Sequence, residues 1–145
     1  MFADFLSRLI QPEPAPLADD DARLAMTALL VRVARSDGQF DADESALIDR
    51  IVAARFALSP FEATALRKNA EVLESEAPDT VRFTRAIKDA VPYEARIEVI
   101  ELLWQVVLAD GSRDEAENAL MRMVAPLLGV SDVESALARQ RVSGK

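Results

Sequence analysis

Apolar side chains recur along most of this chain at three- and four-residue intervals, and no stretch alternates apolar with polar over the length of a strand. That period belongs to helices that bury one face. Two segments depart from it by being apolar nearly all round. In residues 24–34 only Thr27 and Arg32 are polar. In residues 97–109 only Glu98, Glu101 and Gln105 are, and with Glu94 they form one narrow stripe. Helices with so little polar surface belong in the middle of a bundle. Their neighbours are one-sided, with Leu47, Ile48, Ile51 and Val52 in one and Leu120, Met123, Val124, Leu127 and Leu128 in the other.

The punctuation is helical as well. Ser59-Pro60-Phe61-Glu62 sets Ser at N-cap, Pro at N1 and Glu at N3, and Ser131-Asp132-Val133-Glu134 repeats the box. Asp41 with Glu44, and Asp114 with Glu117, share the spacing with Asp as the cap. Pro78 and Pro92 separate the middle segments. The pattern predicts helices over 3–10, 20–36, 41–57, 60–76, 79–90, 93–109, 114–128 and 131–141. The expected fold is all-α, a bundle of about seven to eight helices around two central ones.

Residues 1–10 read as an amphipathic segment with Phe2, Phe5, Leu6, Leu9 and Ile10 on one face. Pro12, Pro14 and Pro16 make residues 11–18 an extended tether. The main domain then runs over 19–142, with 143–145 a tail. The whole length of 145 residues suits one domain, and half of it is hydrophobic, enough for a core without metals or disulfides.

Composition narrows the chemistry. There is no Cys and no His, which removes thiol nucleophiles, histidine-based triads and ordinary zinc sites. A net charge of -8 argues against a nucleic-acid partner. No apolar run approaches the ~20 residues that cross a bilayer. With no signal peptide read at the start, a cytoplasmic protein is expected, touching membranes at most peripherally.

The two central segments and their neighbours form an internal repeat. Shifted by 73, residues 29–52 match residues 102–125 at nine positions, among them Asp37, Gly38, Asp41 and Glu44 on Asp110, Gly111, Asp114 and Glu117. A one-residue deletion later brings Ser59 and Glu62 onto Ser131 and Glu134. The implied architecture is two similar helical hairpins about a pseudo-twofold axis.

The stretches "VARSDGQFDADESALIDRIV" and "VVLADGSRDEAENALMRMVA", with "LGVSDVE" near the end, resemble the TerB-like family, associated with tellurite resistance and similar also to the N-terminal domain of the DjlA co-chaperones. The likeness covers roughly residues 19–142. It implies an all-α fold with the hairpins in pseudo-twofold arrangement. It further implies a setting in the bacterial cytoplasm, in stress or metal-related responses. The family's activity is poorly defined, so the resemblance supplies no mechanism.

The repeated acidic frame has two readings. Gly38 and Gly111 can end one helix, while Asp41, Glu44, Asp114 and Glu117 cap and favour the start of the next. Asp37 and Asp110 resist that reading, because a carboxylate at a helix C-terminus opposes the dipole. The second reading is a divalent cation such as Ca²⁺ or Mg²⁺, which would offset that cost. Its candidate ligands are Asp37, Asp41, Glu44, Asp110, Asp114 and Glu117. The spacing is not that of an EF-hand.

Glu94, Glu98 and Glu101 admit a Mg²⁺-dependent hydrolase reading, set against a solvated helix edge. No Gly-rich phosphate loop accompanies them, and the expectation is a protein that is not an enzyme. Arg82, Arg85 and Lys88, with Arg67 and Lys68, form a basic stripe that is either solvated or docks an acidic partner. Trp104 reads as core. Phe2, Phe5, Leu6, Leu9 and Ile10 are the candidate contact residues for a protein partner or a second protomer. With Arg8 their only cation besides the amino terminus, they are a poor match to a membrane-surface helix.

Overall fold

The computed structural model describes residues 19–36, 40–76, 80–109 and 115–143. These form seven helices and no strand: α1 (Asp19–Arg35), α2 (Ala42–Phe56), α3 (Pro60–Glu76), α4 (Thr80–Ala90), α5 (Tyr93–Leu108), α6 (Glu115–Leu127) and α7 (Asp132–Val142). Each lies within one residue of its predicted span. The segment expected as a helix over 3–10 lies outside the described residues.

Capping explains why the starts are legible. Asp41 holds an extended backbone and accepts a hydrogen bond from Glu44 N at 2.9 Å. Ser59 Oγ accepts from Glu62 N at 3.1 Å while Ser59 N donates to Glu62 Oε1 at 2.9 Å, a reciprocal box. Ser131 Oγ accepts from Glu134 N at 3.1 Å.

The core sits on α1 and α5. Residues 28–31 of α1, Val33 and Ala34 are buried, as are Val99, Ile100, Leu102, Leu103, Val106 and Val107 of α5. Thr27 is tolerated there because its Oγ1 donates to Arg23 O at 2.8 Å, one turn back. Helix α1 packs most extensively on α3, and α5 on α7. The two central helices also touch each other. Contacts between the halves are reciprocal: α2 reaches α5, and α6 reaches α1. That is the pairing a pseudo-twofold requires. Helix α4 joins the halves and packs on α1 and α6.

Turn chemistry follows the same symmetry. Leu58 N donates to Ala53 O at 3.0 Å across Ala57 at φ 55°, and Val130 N donates to Ala125 O at 2.9 Å across Gly129 at φ 75°. Both are Schellman closures with a left-handed residue past the helix end. Buried Ile48, Ile51 and Val52 correspond to Met121, Val124 and Ala125 by the shift of 73, whereas the closures correspond by 72. The repeat therefore loses its one residue in the last turn of α6. Pro126 lies in that turn, where it removes a backbone donor. Arg23 and Arg96 also correspond: the first lies 5.4 Å over the Phe56 ring, the second donates to Leu128 O at 2.9 Å. Each reaches from the start of a central helix to the closing turn of its own hairpin.

The two closures differ in strain. An alanine at 129 would keep a positive φ and set its Cβ 2.8 Å from Arg96 Nη1. Gly129→Ala is expected to cost about 1–2 kcal/mol. Ala57 already bears the left-handed cost, so Ala57→Gly should change stability by between 0 and about +1 kcal/mol. Urea unfolding of both variants checks the ordering.

Candidate functional site

The carboxylates singled out in the sequence fall into three settings. At the first acidic turn, Asp41 is exposed at the start of α2 with Glu44 one turn on, and Asp41 Oδ1 is committed to the Glu44 amide. Asp37, Asp110 and Asp114 lie outside the described residues. Glu117 lies on α6, but its side chain is not among those described. The structure thus brings together Asp41 and Glu44 and leaves the proximity of the two turns undescribed. Among the described residues, no three carboxylates converge as a metal site. Phe2, Phe5, Leu6, Leu9 and Ile10 also lie outside the described residues.

The stripe on α5 forms the second setting. Glu98 pairs with Arg55 of α2, and Glu101 Oε2 lies 2.5 Å from Arg141 Nε of α7. Glu94 is exposed. Metal-assisted hydrolysis needs two carboxylates turned to one cation. Here each of the two inner ones faces an arginine from a different flanking helix. They border an open groove of about 590 Å³ between α2 and α5, floored by Leu47, Ile51, Ala54 and Leu102. Arg50, Arg55 and Gln105 complete its polar rim.

The third setting is an ionic network that sequence reasoning missed. Glu74 accepts from Arg32 Nε at 3.1 Å and from Arg35 Nη1 at 2.8 Å, and Arg32 Nη2 also bonds the Glu74 carbonyl at 3.1 Å. Glu71 lies 3.4 Å from Arg35 and also pairs with Arg67. Arg67 Nε donates to Asp49 Oδ1 at 2.7 Å, and Thr64 Oγ1 donates to Asp49 Oδ2 at 2.9 Å. The hydrogen bond to Asp49 is the main cause holding the Arg67 guanidinium above its ordinary pKa, against the opposing effect of burial. So Glu71 and Glu74 tie α3 to α1, and Arg67 leaves the basic stripe. Arg67 and Glu71 share the i, i+4 spacing of one helix, but the pairs between helices left no local sequence signal. Lys68, Arg85 and Lys88 are exposed, and the Arg82 side chain is not among those described.

Trp104 is buried as expected, but not as a plain apolar filler. Its Nε1 donates to Ser135 Oγ at 3.1 Å, and Arg139 lies 5.3 Å over its ring. Among the described residues, no helix is long and apolar enough to cross a membrane.

A family model described as "Tellurite resistance protein TerB" matches residues 23–140. No curated protein and no solved structure matches the chain.

Two substitutions separate these settings. Asp49→Ala leaves a largely buried guanidinium with Glu71 as its remaining partner and should cost about 1–3 kcal/mol, whereas Glu98→Ala, at an exposed pair, should cost less than about 1 kcal/mol. In the Ser59 box, the Ser59 backbone and then its hydroxyl hold the Glu62 carboxyl below its usual value of 4.5. That contribution is complete above this value and is lost as pH falls through the depressed one. Ser59→Ala removes the side-chain cap but keeps the backbone bond to Glu62, so it should lower stability near neutral pH and flatten the acid limb of a pH–stability profile in part.

Proposed function

The chain belongs to the tellurite resistance protein TerB family, and on that premise we propose that it acts by binding rather than by catalysis, as a cytoplasmic domain in a tellurite-resistance-related or stress response. The supporting observation is where its carboxylates go. Asp49, Glu71, Glu74, Glu98 and Glu101 are each held by arginine, and Asp41 and Glu62 by helix starts. A hydrolase needs uncommitted acids facing a common substrate. The arrangement instead fixes which helix faces meet.

Within this reading, the acidic turns are the responsive element. Asp37, Asp41 and Glu44 at one turn, and Asp110, Asp114 and Glu117 at the other, supply hard oxygens of the kind that Ca²⁺ or Mg²⁺ takes. A bound cation would offset the unfavourable Asp at each central helix end and stiffen the turn, altering the surface shown to a partner. The same domain without a metal site would be a scaffold. The open groove between α2 and α5 is the observation that favours that second reading.

Thermal unfolding followed by Trp104 fluorescence distinguishes the two. The protein is compared in EDTA and in millimolar Ca²⁺, Mg²⁺ or Mn²⁺. A cation at one hundred times its Kd should add about 2.7 kcal/mol of stability, and Asp37→Asn/Asp110→Asn should lose that gain. An unchanged midpoint in every cation would remove the metal reading and leave the scaffold.

A further inference from the structure

The internal repeat lets one half of the molecule serve as a template for the other. In the first half, Asp49 of α2 is gripped by Arg67 and Thr64 of α3. The residues that correspond in the second half are Arg122 for Asp49, Arg139 for Arg67 and Ala136 for Thr64. Val31 and Ala63, both fully buried and apolar, are replaced by Trp104 and Ser135. The acid of the pair has thus become a second arginine, and the wall behind it an indole.

What stands at that position is an open pocket of about 430 Å³. Trp104 and Met121 line it, together with Arg122 of α6 and Arg139 of α7. Both arginines are exposed, and neither forms an ion pair with a described residue. Arg139 is already positioned by stacking over the Trp104 ring. Asp132 also lines the pocket, where it sits in the first turn of α7 and suits the positive helix end. Among the described lining residues, one acid against two guanidinium groups leaves the pocket short of negative charge, in a chain whose net charge is -8.

We propose that this pocket binds a carboxylate carried on a short apolar stem, the carboxylate lying between Arg122 and Arg139 as Asp49 lies against Arg67, and the stem against Trp104. Guanidinium groups match carboxylates through paired hydrogen bonds, and the indole adds apolar contact without displacing its bond to Ser135. None of the described lining residues belongs to the acidic turns, and the ligand is an anion rather than a cation.

The test is a titration of Trp104 emission, with EDTA present throughout and ionic strength held by chloride. The probes are glutarate, its uncharged diamide, and an N-acetylated, C-amidated peptide bearing one Glu between leucines. A saturable change with peptide alone assigns the site to an acidic side chain of a protein partner. A change with glutarate as well assigns it to the free carboxylate; the diamide should give none. Arg122→Gln and Arg139→Gln should each weaken binding about ten-fold. Arg122→Asp should abolish binding while raising the unfolding midpoint by about 1–4 °C, because it rebuilds the ion pair of the first half. No saturable change with either carboxylate, or binding in both Gln variants as tight as in the unsubstituted protein, would overturn the assignment.

Discussion

Two helices with almost no polar surface must each be covered on all but a narrow stripe, and the rest of the fold is arranged around that demand. Large aliphatic side chains such as Leu29, Leu30, Ile100 and Leu103 are fully buried, each worth about 1.5–3 kcal/mol relative to exposure. A one-sided helix needs only one neighbour, but α1 and α5 need several. Helix α1 therefore meets α2, α3, α4, α5 and α6, and α5 meets α1, α2, α6 and α7. The polar residues these helices do carry lie where they can be satisfied, as Thr27 is by its own helix and Glu98 and Glu101 are by flanking arginines.

The halves share this skeleton but fasten it differently. In the first, Arg32, Arg35 and Arg67 clamp Asp49, Glu71 and Glu74, tying α1, α2 and α3 together. In the second, Trp104 and Ser135 make a single buried hydrogen bond between α5 and α7. Ion pairs this sheltered add little net stability over well-packed apolar groups, yet losing one partner is costly. Their effect is to specify which faces meet. Where the second half lacks the clamp, it keeps an opening instead.

Local signals explain what was legible in the sequence. Helix positions followed from caps such as Ser59 and Ser131, whose chemistry is complete within four residues, and from apolar periodicity. The central role of α1 and α5 followed from their missing polar faces, and the hairpin pairing from the repeat. The network around Arg67 was not legible, because Asp49 lies on another helix and only tertiary packing brings the two together. The same holds for Arg122 and Arg139, which read as ordinary surface charges until the first half is laid over the second. Of the acidic frame, the capping by Asp41 was read correctly. A metal at the turns depends on how two segments far apart in sequence meet, and spacing within each turn carries no information on that.

The reciprocal packing of α2 on α5 and of α6 on α1 has a consequence for what counts as a unit. Neither three-helix half can cover its own central helix, so neither is a domain by itself. The molecule is in effect a dimer of unlike protomers joined covalently, with α4 as the tether that sets their effective concentration. Such an arrangement frees the two halves from having to stay alike. A position that in a symmetric pair would have to serve both copies can change in one while the other keeps the original contact, and binding specificity can be gained without dissolving the partnership.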